Sequence, residues 1–194
     1  MDFPKIVKKV ESCAAYATHK KTHPHIFLAH IFYLDDPANK DSCQAGYYDS
    51  AHQRMTTFVV SGDTIETIPD QEVLQDPETP IQPLDITHVA HDEHAILTAA
   101  QEVITLHHPK AFPIKRFFII QNSNLGEIYN VSYLTQTFSS VNIKLAIRDL
   151  SVLKHSESQL MNFDKGEQTL KDRAQKHLSR PEADIKRFSR DTGK

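Results

Sequence analysis

The sequence predicts an α+β fold in which two units, each a helix followed by an antiparallel meander of short strands, precede a basic C-terminal tail. Two observations carry this prediction. An amphipathic helix followed by turn-punctuated strands occurs twice, at residues 4–68 and again at 92–156. A proline-rich stretch separates the two occurrences. Burying the helix stripe on one face of each meander gives the two-layer arrangement of α+β domains.

The first unit, residues 1–68, opens with a predicted helix over residues 4–20. The apolar residues of its buried face are Ile6, Val7, Val10, Ala14 and Ala17. The segment HIFLAHIFYL is apolar at successive positions and rich in β-branched and aromatic residues, which predicts a central strand covered on both faces. QAGYYD and MTTFVV flank a polar turn at residues 50–54 and predict a hairpin, after which TIETI follows as a fourth strand.

Residues 69–91 contain four prolines among acidic and polar residues and show no sustained periodicity, which predicts a connector between the units. The second unit, residues 92–163, begins at Asp92, a predicted N-cap for a helix whose apolar stripe runs from Ala95 to Leu106. Four predicted strands follow, in PIKRFFIIQN, EIYNVSYLTQTF, VNIKLAI and VLKHSES.

The second unit resembles the PepSY type of domain. DEHAILTAAQEVI begins with acidic residues and is alanine-rich, and NIKLAIRDLSVLKH supplies a hydrophobic strand, a turn and a short final strand. The turn reads Arg148-Asp149-Leu150-Ser151, whereas the family pattern has the form Asp-x-x-Thr-Gly. The first unit is similar in its order of elements. The resemblance implies a tandem pair with a PepSY/cystatin-like two-layer fold and non-catalytic binding or inhibitory modules, usually found outside the cytoplasm; no functional residue is carried over.

The composition excludes several classes of protein. No stretch approaches the roughly 20 apolar residues of a membrane span, and the N-terminus MDFPKIVKKVESC lacks the apolar core of a secretory signal. The sequence therefore predicts a cytoplasmic protein with no membrane partner. Cys13 and Cys43 are too few for a disulfide framework and are expected to be reduced thiols.

The motifs of the common enzyme classes are missing from the sequence. Its five glycines form neither a phosphate-binding loop nor a GxGxxG fingerprint, and there is no GxSxG elbow. The acidic pairs Asp35–Asp36 and Asp92–Glu93 end a predicted strand and begin a predicted helix, where structural roles account for them. We therefore predict no catalytic residue and no cofactor, and we favour a binding protein over an enzyme.

Histidine is unusually frequent, with twelve in 194 residues, and neutral imidazoles are good ligands for zinc or nickel. His88, His91 and His94 recur at every third position and are the candidate metal ligands. An HExxH motif is absent, and solvated polar positions are the alternative explanation. These three residues define a second hypothesis, a transition-metal-binding protein or metal-dependent enzyme. Further histidines cluster at His19, His23, His25 and His30 and at His107 and His108.

The C-terminal tail, residues 164–194, differs from the rest of the chain in charge. From residue 165 onward it holds nine basic and five acidic residues, a net charge of +4, against −7 for the preceding residues. Three interpretations remain open: a helical segment that docks on a partner protein, a nucleic-acid-contacting arm, and a solvated terminus. The candidate partner-binding residues are Lys186, Arg187, Phe188 and Arg190.

Taken together, these features favour a cytoplasmic, non-enzymatic protein-binding or scaffold and regulatory module. Its sheet face or its tail is expected to bind another macromolecule, with a protein favoured over nucleic acid because acidic residues are interspersed in the tail.

Overall fold

The computed structural model describes residues 1–37, 42–73 and 80–160. The chain divides into two units, Met1–Ser158 and Gln159–Lys194. The second unit falls almost entirely outside the described residues. The candidate tail residues Lys186, Arg187, Phe188 and Arg190 fall outside them as well.

The helices and strands follow one another along the chain in two similar series. The first series is α1 (Phe3–Glu11), α2 (Ala14–Thr22), β1 (Ile26–Asp35), β2 (Ser42–Asp49), β3 (Arg54–Ser61) and β4 (Thr64–Glu72). A 3-10 turn at Ile86–His88 leads to the second series, α3 (Glu93–His107), β5 (Pro113–Ser123), β6 (Gly126–Thr135), β7 (Ser139–Ala146) and β8 (Val152–Gln159).

The eight strands in the described parts of the chain belong to one sheet, in the order β4-β3-β2-β1-β5-β6-β7-β8. The pairings from β4 across to β7 are antiparallel. The first strand of each series lies at the centre, where Ile31 faces Ile120 and Tyr33 faces Phe118. Each of these two strands is rich in apolar residues on both faces, and pairing them with each other leaves neither one at a sheet edge.

The predicted fold class, α+β with two helix-plus-antiparallel-meander units of the PepSY/cystatin-like type, is wrong. The structure is largely β, a single antiparallel sheet whose helices share one core. Phe3 of α1 packs edge-on against Phe118 of β5, with ring centroids 5.9 Å apart. The β1–β5 pairing and this shared core merge the two series, because a continuous core buries apolar area that two separate small units would expose.

The first predicted helix is two helices. Ser12 ends α1, and its hydroxyl donates to the carbonyl oxygen of Lys8. Cys13 then adopts an extended conformation and caps α2, its Sγ accepting from the backbone N–H of Tyr16 at 3.4 Å. A capping side chain at this position offers the backbone an alternative to a continuous helix.

The prediction that Asp92 caps the second helix is confirmed. Its side chain accepts from the backbone N–H of Ala95 at 2.9 Å. The helix then buries Ile96, Ala100 and Val103, which recur at helical spacing, against the sheet. None of the described helices combines the length and apolar composition that crossing a bilayer requires.

The sheet face opposite the helices carries a smaller apolar cluster than the face against which the helices pack. A small cluster of Ala29, Tyr48 and Met55 lies on it, against which Val73 and Ile81 pack. Further along this face, the rings of Phe32 and Phe117 are in contact, with centroids 5.6 Å apart.

Candidate functional site

A groove of about 1010 Å³ runs between α3 and the central strands. The sheet contributes Tyr33, Asp35 and Arg116. The helix contributes Glu93, His94, Leu97, Thr98, Gln101, Glu102, Thr105 and Leu106. Concave surfaces of this size with a mixed apolar and polar lining are the usual location of binding sites.

Helical periodicity explains which residues of α3 form the groove wall. His94, Leu97, Gln101 and Thr105 are separated by three or four positions, so they lie along one side of the helix. This side adjoins the stripe that packs on the sheet. The wall is therefore a flank of a firmly anchored helix.

The floor of the groove contains an ion pair across the central strands. Asp35 of β1 and Arg116 of β5 face each other in register, and Nε of Arg116 donates to Oδ2 of Asp35. Both side chains remain partly accessible, at 26% for Asp35 and 40% for Arg116. A solvent-accessible pair of this kind contributes little to stability and is available to a ligand.

Tyr133 of β6 lies next to this pair, directly opposite Arg116. The side chain is fully buried, and among the described residues its hydroxyl has no partner in hydrogen-bonding geometry. Burial, and to a smaller extent the negative charge of Asp35, raises the pKa of Tyr133 to about 12, while the nearby guanidinium of Arg116 acts in the opposite direction through its charge and as a hydrogen-bond donor. The hydroxyl therefore stays protonated and neutral near the floor of the groove.

Exposed apolar side chains lie at the end of α3 and the start of β5. Leu106, in the last turn of α3 and part of the groove wall, is 75% exposed. Phe112, just before β5, and Ile114, its second residue, are also exposed, as is Phe138 in the β6–β7 turn. Grouped exposed apolar residues are typical of interaction surfaces.

The structure gives the predicted metal ligands His88, His91 and His94 separate environments. Nδ1 of His88 lies 2.5 Å from Oε2 of Glu127. Nδ1 of His91 lies 3.4 Å from the hydroxyl of Tyr129. His94 lies on the groove wall. Within the described parts of the chain, these three histidines do not form a group of converging donors.

A different set of donors does converge among the described residues. One ring nitrogen of His23, one ring nitrogen of His52 and a carboxylate oxygen of Asp49 all lie within 4.8 Å of one another. His19 stacks on His23, with ring centroids 4.3 Å apart. The sequence placed His19 and His23 in one cluster but gave no sign that Asp49 and His52 would join them, because their approach depends on strand pairing.

A second histidine group lies where α3 ends against β8. The rings of His107 and His155 stack at 4.6 Å, and Nε2 of His108 lies 3.1 Å from Nδ1 of His155. Nδ1 of His108 is 3.4 Å from Oε2 of Glu157. One of the two facing nitrogens must carry a proton and the other a lone pair, since two lone pairs or two N–H groups would repel.

No family model and no curated protein matches the chain. Among solved structures, it is similar to the crystal structure of a candidate lipoprotein from Clostridium difficile 630, with 13% sequence identity and a TM-score of 0.47. The similarity covers 74% of this chain and 90% of that chain.

Proposed function

We propose that the protein is a non-enzymatic binding module whose groove between α3 and the sheet holds a segment of another protein. The observation that carries the proposal is a groove whose wall includes the exposed side chain of Leu106, followed a few residues later in the chain by exposed Phe112 and Ile114. Surfaces of this kind anchor partner side chains because burying them releases water from apolar area.

The dimensions of the groove favour a peptide segment over a small molecule. Its helical wall extends from Glu93 to Leu106, which corresponds to about 20 Å along the helix axis. An extended segment of about six residues spans that length. The volume, about 1010 Å³, lies at the upper limit of typical small-molecule pockets.

The lining predicts the chemistry of the partner segment. Leu106, which is 75% exposed, offers a contact for an apolar anchor residue, and the mostly buried Leu97 adds apolar surface to the wall. Glu102 adds an acidic group on the wall, whereas the charged residues of the floor neutralise each other. We expect a partner segment with one or two large apolar residues and a neighbouring Lys or Arg, because electrostatic complementarity favours that orientation.

Selection of peptides from a random phage-displayed library against the full chain tests the proposal. We expect the selected peptides to carry an apolar anchor with an adjacent basic residue. Leu106→Ser should weaken their binding about tenfold, the effect of losing roughly 1.4 kcal/mol of contact energy. The matched control is Leu125→Ser in the β5–β6 turn, since Leu125 is also an exposed leucine, at 46%.

Two outcomes would contradict the proposal. The first is that the selected peptides bind the Leu106 and Leu125 variants equally well. The second is that repeated selection recovers no peptide. A thermal unfolding curve for each variant shows that any loss of binding does not arise from unfolding.

The basic tail remains a separate prediction. Lys186, Arg187, Phe188 and Arg190 are the proposed contacts with a partner protein, and removal of residues 165–194 should then reduce capture of specific partners. If the tail instead binds nucleic acid, binding to a polyanion should weaken steeply with salt.

The cytoplasmic location also stays a prediction. Fractionation of cells that express the untagged protein would test it.

A further inference from the structure

We propose that His23, Asp49 and His52 form a binding site for a divalent transition metal such as zinc. This inference is independent of the groove, because it concerns the end of α2 and the β2–β3 turn. His23 and His52 supply the imidazole ligands, and Asp49 orients His52. Water completes the coordination.

Strand pairing brings these residues together. Ile26, at the start of β1, lies opposite Asp49 at the end of β2. His23 is the C-cap of α2 and comes three positions before Ile26. His52 comes three positions after Asp49, in the turn that follows β2. The pairing of β1 and β2 therefore places both histidines at the same end of the sheet.

Asp49 is positioned to fix the orientation and tautomer of His52. Its Oδ2 lies 2.7 Å from Nδ1 of His52, while its Oδ1 accepts from the backbone N–H of Ala51 at 2.9 Å. The Asp49 side chain is 5% exposed, whereas the His52 side chain is 61% exposed. Since an ionised carboxylate only accepts, Nδ1 of His52 carries the proton and Nε2 offers a lone pair.

His23 is held in a comparable way. Its Nδ1 lies 3.3 Å from the carbonyl oxygen of His19 and 2.8 Å from the hydroxyl oxygen of Thr22. Both oxygens can accept a hydrogen bond from a protonated Nδ1 of His23. When they do, Nε2 of His23 offers its lone pair to a metal ion, as Nε2 of His52 does.

The distance between the two rings suits a shared metal ion. The centroids of His23 and His52 are 5.7 Å apart, with an interplanar angle of 78°. Two imidazoles bound tetrahedrally through nitrogens at about 2.0–2.1 Å from zinc place their centroids roughly 5 Å apart. One ring nitrogen of each histidine and a carboxylate oxygen of Asp49 already lie within 4.8 Å of one another. Imidazole nitrogens oriented by a carboxylate are a common donor set for zinc.

Calorimetric titration of the untagged full chain with ZnCl2 tests this site. We expect about one zinc ion per chain, with loss of that binding in His23→Ala and in His52→Ala. The variant Asp49→Asn should bind about 10–100-fold more weakly, as expected for a residue that orients a ligand. His88→Ala and His108→Ala are matched controls and should leave the affinity unchanged.

Thermal unfolding with and without ZnCl2 gives a second readout. Because zinc would join the end of α2 to the β2–β3 turn, saturating zinc should raise the melting temperature of the wild type but not of His52→Ala. Because His52 is exposed in a turn, its substitution should leave the fold intact, and an unchanged melting temperature without zinc checks this.

Three results would overturn this assignment. One is that the wild type binds no zinc at 100 µM. Another is that His52→Ala keeps the affinity of the wild type. The third is that binding depends on His88 or His108 instead. Failure of the peptide selection would bear only on the groove.

Discussion

The guanidinium of Arg116 donates to the carboxylate of Asp35 across the two central strands, one from each series of elements. The same contact forms part of the groove floor. The ion pair should contribute little to the free energy of unfolding, because the Arg116 side chain is 40% exposed. We expect a double-mutant cycle of Asp35→Ala and Arg116→Ala to give a coupling energy of up to about 1 kcal/mol.

Urea unfolding of the four proteins measures this coupling. The more exposed Lys9–Asp63 pair serves as the control, and we expect no measurable coupling there. A coupling energy several times larger at Asp35–Arg116 would mean that the pair is a structural link and not an accessible recognition element.

The substitution Tyr133→Phe should be neutral or slightly stabilising. The hydroxyl of Tyr133 is buried without a hydrogen-bond partner among the described residues. Removing the hydroxyl relieves part of its desolvation cost and keeps the ring packing, while the guanidinium of Arg116 nearby offsets some of that cost, so the gain should be at most about 1 kcal/mol. Chemical denaturation tests this. A loss of more than about 1 kcal/mol would show that the hydroxyl is satisfied by a bound water or by Arg116.

The substitution Gly46→Ala should destabilise the protein. A methyl group on Gly46 would approach the imidazole of His30 to within 2.3 Å, although alanine is otherwise favoured over glycine in a strand. We expect a loss of about 1–3 kcal/mol, the usual cost of overpacking. The double variant with His30→Ala should recover the stability lost through Gly46→Ala, because the clash is removed. An equal loss in both backgrounds would contradict this explanation.

Acidification should destabilise the protein through His30. Desolvation lowers the pKa of His30 in the folded state. Below about pH 6.5 the unfolded chain therefore binds a proton that the folded chain does not, and the free energy of unfolding falls until the pH reaches the folded pKa. This contribution is fully present above about pH 6.5.

Urea unfolding between about pH 7.5 and pH 5.5 measures the effect on either side of the free histidine pKa. The loss of stability over this range should be smaller in His30→Gln than in the wild type. His25→Gln, at an exposed position, is the control and should follow the wild type. Identical pH profiles for His30→Gln and the wild type would refute the assignment.

Local structure could be predicted from the sequence where a few neighbouring residues determine it. Asp92 is followed by an apolar stripe at helical spacing, and the capped helix is observed. The hairpin predicted from QAGYYD and MTTFVV is also present, as β2 and β3. The break between α1 and α2 was missed, because the apolar stripe continues from Val10 to Ala14 across the interruption at Ser12 and Cys13.

The candidate sites were harder to predict from the sequence. Regular spacing directed attention to His88, His91 and His94, yet the structure gives them different neighbours. Arg116 and Tyr133 looked like ordinary members of two strands. Their position in or next to the groove floor could not be predicted, because it depends on the strand register that places them beside Asp35.

Most helices and strands could be located from the amino-acid sequence, because capping and periodicity act within a few residues. The pairing of Ile31 with Ile120, through which both series share one sheet and one core, is a property of the folded chain. The approach of Asp49 and His52 to His23 is another such property. These contacts join residues far apart in the chain, and they form because burying a common apolar core outweighs the entropy lost in closing the intervening loops.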